Sequence, residues 1–294
     1  GAPAMTAAAP ARLLLVMLPW LAACGGSAQT PNTYTKIDDM EAAGITRITW
    51  MGPAGTTPSR WFTATDCAEA ERVSPLSFFL NPAGAPYDPL PSPHETMPGT
   101  FSTQALRFRT VEPLVNNWGA NIGFTFGNMT PDPPPDASPL GEEGCLTWLV
   151  PNAPAAPVDL TAFSGVTFWA RAETPGSRVM LVQFIDVNTD PRGGICQETD
   201  SSEAATSTYC YNGFGTLIQL SDMFTQYTVD FSQLAQHAGW GYHPPSGADW
   251  SQMYSMNFQI DLPACSGSAY SMCAGGTPTL SFDVWIDDLY FVNR

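Results

Sequence analysis

Residues 282–294 read Phe282-Asp-Val-Trp-Ile-Asp-Asp-Leu-Tyr-Phe-Val-Asn-Arg294. Aromatic and β-branched residues dominate the stretch, which predicts a strand. Successive strand side chains point to opposite faces. Strict alternation puts Phe282, Val284, Ile286, Tyr290 and Val292 on one face with Asp288. It puts Trp285, Leu289 and Phe291 on the other with Asp287. Both faces are apolar, so at least one of the two carboxylates is expected to be buried. A buried charge is costly unless it is paired or binds a metal.

The rest of the chain has the same character. Strand-like segments recur at 103–111, 165–171, 179–187, 224–230, 255–261 and 280–292, several with apolar and polar residues alternating. The 28 prolines and 25 glycines argue against long helices. Residues 231–237 suit one short helical turn. The expected fold is an all-β, two-sheet antiparallel sandwich with long Pro-rich loops at 81–100 and 130–157. Only 11 basic residues stand against 27 acidic ones, for a net charge of −16, and Lys36 is the one lysine. Phosphate-binding surfaces need clustered Lys and Arg, so nucleic acid is not an expected partner.

The first residues carry a targeting signal. Arg12 precedes an apolar run from Leu13 to Ala23, too short to span a bilayer and of signal-peptide length. Leu21-Ala-Ala-Cys24 resembles a bacterial lipobox, which implies cleavage before Cys24 and lipidation of its thiol. Residues 1–24 are therefore expected to be a signal peptide, 25–35 a flexible tether, and 36–294 a single domain. The implied location is the outer membrane or cell surface, with membrane contact only through the lipid. Setting Cys24 aside leaves six cysteines, an even number that suits an exported, disulfide-bonded protein. Proximity favours Cys196–Cys210 and Cys265–Cys273, with Cys67 and Cys145 left for each other.

A set of separated motifs gives a resemblance. Ile37-Asp-Asp-Met-Glu41 opens the domain and Ile286-Asp-Asp-Leu-Tyr-Phe291 closes it. Between them stand Asn117-Trp-Gly-Ala-Asn-Ile-Gly-Phe124 and Val158-Asp-Leu-Thr-Ala-Phe-Ser-Gly-Val-Thr-Phe-Trp-Ala170. This order resembles jelly-roll carbohydrate-binding modules of the family-11 type and related galactose-binding-like sandwiches. The resemblance implies a jelly roll whose first and last strands lie together. It also implies a structural calcium held there by Glu41 and Asp287, with Asp39 as a further donor. Calcium takes six to eight oxygen ligands, and neither acidic motif contains a basic residue. The competing reading pairs Asp287 or Asp288 with Arg47, backbone amides or water.

Such modules bind sugar without chemistry, so the implied function is binding of a neutral poly- or oligosaccharide. Trp169, Arg171, Gln183, Asn257 and Gln259 are the candidates for a ligand-bearing face. For Trp169 the alternative is a place in the core. Trp118 and Trp240, with Tyr242, are candidates at the loop rim. No Gly-x-Ser-x-Gly elbow or His-Glu-x-x-His motif is present. Two alternatives stay open. One is a glycan hydrolase or lyase built on dispersed carboxylates such as Asp186 and Asp261. The other is an adhesion or structural lipoprotein with a protein partner.

Overall fold

The computed structural model describes residues 34–41, 47–65, 76–78, 95–97, 100–102, 105–110, 120–127, 156–173, 178–197, 208–238, 240–260 and 282–294. They form fifteen strands: β1 (Tyr34–Asp38), β2 (Arg47–Gly52), β3 (Gly55–Thr65), β4 (Leu76–Phe78), β5 (Glu95–Met97), β6 (Thr100–Phe101), β7 (Leu106–Thr110) and β8 (Ala120–Thr125). Then follow β9 (Phe163–Ala172), β10 (Val179–Asp186), β11 (Phe214–Gln219), β12 (Thr225–Asp230), β13 (Ala235–Gln236), β14 (Met253–Ile260) and β15 (Asp283–Asn293). Two single-turn 3₁₀ segments, Pro191–Gly193 and Phe231–Gln233, are the only helical pieces among the described residues.

The strands build an antiparallel sandwich. One sheet runs β12-β9-β15-β7-β4, and β1 shares an edge of β15 with β7. The other runs β13-β11-β10-β14-β8-β3-β2, and β5 and β6 pair separately. Between β7 and β15 the chain passes repeatedly from one sheet to the other, as in a jelly roll. The inner faces close on one aromatic core. Phe168 of β9 meets Phe258 of β14, and Phe291 of β15 meets Trp50 of β2 and Phe126 after β8. Phe168, Phe258 and Trp50 lie on inward positions of their strands, where alternation carries them into the core.

The closing strand departs from strict alternation. Its pairing with β9 slips between Asp287 and Tyr290, and Asp288 takes the left-handed region at φ 48°. The extra residue is a β-bulge. Val284 and Ile286 face the core before it, and Leu289 and Phe291 face the core after it. The expectation that Leu289 and Phe291 share a face with Trp285 and Asp287 is therefore corrected. β1 is irregular at the same level, between Lys36 and Asp38.

The strands expected at 165–171, 179–187, 224–230, 255–261 and 280–292 are β9, β10, β12, β14 and β15, and 103–111 contains β7. Within the stretch 25–35 expected to be a tether, Tyr34 already pairs with Val292 and Thr35 Oγ1 donates to Asn293 Oδ1. The Pro-rich stretch 81–100 holds β5 and the start of β6. Cys196 and Cys210 form a disulfide. Closing a loop of that length contributes about 3 kcal/mol by restricting the unfolded chain. Cys67, Cys145, Cys265 and Cys273 lie outside the described residues, as do Cys24 and the rest of residues 1–24 expected to be a signal peptide. No described helix is long and apolar enough to cross a membrane.

Candidate functional site

The first site is the gap on the edge of β15. β7 pairs with residues 283–286 and β1 with 289–292, so Asp287 and Asp288 lie where one neighbour ends and the other begins. Both side chains are buried. Ser102 Oγ lies 2.5 Å from Asp287 Oδ2 and 2.8 Å from Glu41 Oε1, and the Asp288 amide donates to Asp287 Oδ1. Burial first, then the neighbouring Asp288 charge, pushes the Asp287 carboxyl up to about 9. Burial, then the charges of Asp39 and Glu41, pushes Asp288 up to about 7. Burial also raises the Tyr290 hydroxyl, which points at Asp288.

The resemblance points to two members of this cluster, Glu41 and Asp287; Asp288 is expected from the sequence only as the other candidate buried carboxylate, and Ser102 is not expected at all. Ser102 carries no motif, and Asp288 joins only because the bulge turns it. Asp39 is differently placed. Lys36 Nζ sits 2.7 Å from its Oδ2, so the opening motif does have a basic neighbour three residues back. Asp38 is buried instead and accepts from Trp61 Nε1 and from the Met40 amide. Arg47, the other expected partner, lies in β2 paired with β3, and its side chain is outside the described residues. No three His, Cys, Asp or Glu side chains among the described residues are arranged to hold a metal ion. The donor set is nonetheless one of hard oxygens, the chemistry calcium accepts.

The second site is the outward face of the seven-stranded sheet. Met256, Phe258 and Ile260 of β14 fill the core, so Ser255, Asn257 and Gln259 point the other way. Across the strands Gln183 of β10 lies opposite Asn257, Gln259 lies opposite Asn121 of β8, and Ser255 lies opposite Thr125. Every side chain of this set is polar and uncharged. Gly215 and Gly123 flank the Gln183–Asn257 pair in the same row. Asn257 is 7% exposed and Asn121 8%, and the Oδ1 atom of each has no hydrogen-bond partner. A buried polar atom left unsatisfied costs about 1–3 kcal/mol and calls for an explanation.

The sandwich splits the expected ligand face. Gln183, Asn257 and Gln259 share this surface, but Trp169 and Arg171 lie on β9 of the other sheet, facing away on the opposite side. Phe168 and Ala170 are the inward residues of that strand, so Trp169 is half-buried on the outside rather than in the core. Arg171 is ion-paired with Glu173 and stacks with its Cζ 5.1 Å from the Trp285 ring. Arg107 covers the same ring at 4.7 Å and forks onto Asp283 at 2.8 and 2.6 Å. A strand sequence shows which residues share a side, not which sheet the strand joins.

A rim of aromatic residues borders the amide set. Gln183 Nε2 donates to the carbonyl of Tyr211 at 3.4 Å. Tyr209 sits between Tyr211 and Trp240, with ring centroids at 6.2 and 6.1 Å. Buried Asn212 staples the two turns together: its Nδ2 donates to the carbonyls of Trp240 (2.6 Å) and His237 (3.1 Å). Gly241, at φ 71°, packs against it, and a Cβ there would lie 2.4 Å from the Asn212 Cβ. The turn of Trp240 is thus tied through Asn212 to the turn of Tyr211 that Gln183 meets, and Tyr242 joins it through its amide to the Tyr209 carbonyl. Trp118 lies outside the described residues.

Asp186 has a different task. Its carboxylate is buried and accepts from the Asn188, Thr189 and Asp249 amides, Asn188 Nδ2 and Thr189 Oγ1. It holds the turn after β10. Asp261, its suggested partner, is outside the described residues.

The chain resembles carbohydrate-binding modules. A family 11 module of a cellulosomal cellulase of Clostridium thermocellum matches over 90% of this chain and 96% of its own, with 9% identity and a TM-score of 0.36. A family 30 module from another cellulosomal cellulase of that organism matches over 88% and 96%, with 11% identity and a TM-score of 0.35. An exo-β-agarase matches over 79% of this chain but 25% of its own, with 10% identity and a TM-score of 0.36. No protein-family profile matches the chain, and no curated protein does. At these scores the likeness carries no argument about ligand or site, which must come from the residues.

Proposed function

We propose that this protein binds a neutral poly- or oligosaccharide on the outward face of the seven-stranded sheet, without chemistry of its own. The observation that carries the reading is the pair of buried, unpartnered amide oxygens, Asn257 Oδ1 and Asn121 Oδ1, in an uncharged polar set. Each is an acceptor that lacks a donor. A sugar is a dense array of O–H donors that also accept, so its hydroxyls satisfy amide oxygens and amide N–H groups alike. The absence of charge in the set suits a neutral ligand, and the net charge of −16 disfavours a polyanionic one. No carboxylate stands in this amide set, so nothing there favours the hydrolase or lyase reading.

A flexible chain must be ordered on binding, so affinity should be modest, with dissociation constants of roughly 10 μM to 1 mM. Calorimetric titration against β-glucan, mannan and xylan oligosaccharides tests this. Asn257→Ala should weaken binding about tenfold or more, because the truncated site offers the sugar one partner fewer. The melting temperature (Tm) should hold or rise, because the variant removes an unsatisfied group. Binding by none of these glycans sinks the reading.

The cation belongs to the same proposal. Glu41, Asp287, Asp288 and Ser102 would hold calcium at the junction of β1, β7 and β15, with Asp39 held back by Lys36. The ion would supply a positive charge to carboxylates that have lost water. Export and lipidation at Cys24 rest on the Leu21-Ala-Ala-Cys24 pattern. Mass spectrometry of the mature N-terminal peptide from a bacterial host should show a diacylglyceryl cysteine, and an unmodified residue 24 would reject the anchor.

A further inference from the structure

The Gln183 amide is held by residues 210–213, which lie outside its own strand. Its Nε2 donates to the Tyr211 carbonyl at 3.4 Å. The chain then passes so close at Gly213 that an added Cβ would lie 2.9 Å from Gln183 Cγ and 2.4 Å from the Phe184 carbonyl oxygen. This turn has a costly backbone. Outside the acidic junction, Tyr211 is the one described residue other than glycine in the left-handed region, at φ 73°. A side chain makes that region unfavourable, and such outliers persist only where the surroundings enforce them. Here they act from both sides. Cys210, the residue before, is bonded to Cys196. Asn212, the residue after, is buried and donates to the carbonyls of Trp240 and His237. The Tyr211 amide donates to the Thr189 carbonyl at 2.8 Å, and its own carbonyl accepts from the Gly213 amide at 2.9 Å. Thr189 stands in the turn that follows β10, so the disulfide pins 210–213 onto the end of the strand that carries Gln183.

We infer that the Cys196–Cys210 disulfide is a positioning element of the sugar site: by holding the Tyr211 backbone in the left-handed conformation it presets the Gln183 amide for the glycan. This deepens the reading above and rests on it. Without the bond, Tyr211 is free to return to negative φ. That rotation moves its carbonyl and Gly213 relative to Gln183, and the amide must then be ordered anew each time a sugar binds. Neither cysteine belongs to the main core cluster, so the sandwich should survive the loss. The consequence is that the site is completed only in an oxidising compartment. Forming the bond takes two electrons and two protons from the two thiols, passed to an oxidised dithiol that is reduced in turn.

The test is calorimetric titration of the whole protein with cellohexaose, mannohexaose and xylohexaose, well below the melting transition. For whichever of the three the parent binds, Cys196→Ser/Cys210→Ser should weaken binding about fivefold or more, as loss of one well-placed hydrogen bond does. The Tm should fall by about 6–12 °C. Two further variants separate positioning from general loosening. In a Gln183→Ala background the serine pair should change affinity by less than about twofold, because the group it positions is gone. Adding Tyr211→Gly to the serine pair should bring affinity back to within about twofold of the parent, because glycine takes a positive φ without restraint. Gly213→Ala keeps the bond but forces the turn off Gln183, so it should weaken binding as the serine pair does, and it serves where that pair does not fold. If the serine pair or Gly213→Ala binds within about twofold of the parent while Asn257→Ala does not, the inference fails and the sheet-face reading stands. An equal loss with and without Gln183, or no recovery with Tyr211→Gly, makes the bond a stabiliser only and overturns the inference. A parent that binds none of the three removes the reading beneath it as well.

Discussion

Stripping divalent cations with EDTA at pH 8 is expected to lower the Tm by about 8–16 °C, and at pH 5 by little. Asp287 is fully buried and its carboxyl is raised to about 9. In the unfolded chain the same group titrates near 4, at about 3.9. A group whose folded value lies above its unfolded one stabilises fully below the unfolded value and loses that stabilisation as pH rises towards the folded one. Cation-free protein should therefore lose stability from about pH 4 to about pH 9, with Asp288 adding to the slope below about pH 7. The slope is at most about 1.4 kcal/mol per pH unit for one proton. Over the roughly three units from pH 5 to pH 8 it reaches about 4 kcal/mol, and a domain of this size moves about 2–4 °C per kcal/mol. The proposed calcium would bind the ionised form, so its stabilising effect should grow over the same interval.

Asp287→Asn separates the two parts of this result. It removes the buried charge, so the cation-free variant should be more stable than the parent at pH 8, and should no longer respond to calcium. If the parent shows the pH-dependent loss but calcium restores nothing at any pH, the junction is a buried acid and not a cation site.

Phe291→Ala should destabilise by about 3–5 kcal/mol, the usual cost of deleting a buried aromatic ring, or about 6–20 °C in Tm. Phe291 has no exposed surface and stacks on Phe163 at 4.4 Å, with Trp50 at 5.1 Å and Phe126 at 5.8 Å. It joins the two sheets, so little around it can collapse into the space. Tyr290→Ala is the control. Counting alternately from Val284 and Ile286 places Tyr290 inward and Phe291 outward, whereas the bulge reverses them. Tyr290 is only half-buried, edge-on to Tyr34 at 6.4 Å. Its truncation should cost clearly less than that of Phe291, measured by chemical denaturation. The opposite order would mean that the bulge is misplaced.

The sequence by itself determined the architecture and much of the ingredient list. Alternation on β9, β10 and β14 and the aromatic content of β15 suffice for an antiparallel sandwich, because a strand with one apolar face must bury it against another sheet. The resemblance carried by two acidic motifs pointed to Glu41 and Asp287, and proximity in sequence paired Cys196 with Cys210. Tertiary structure alone decided three things. It decided which sheet each strand joins, and so separated Trp169 and Arg171 from Gln183, Asn257 and Gln259: alternation is a property within a strand, and sheet membership is set by long-range pairing. It decided the inward residues after Asp287, because one bulged residue reverses every side chain that follows. It also brought Tyr211 beside Gln183, and Ser102 between Glu41 and Asp287. These contacts depend on a disulfide, a left-handed turn and strand ends far apart in the chain, and none of those leaves a periodic mark that sequence reading can find.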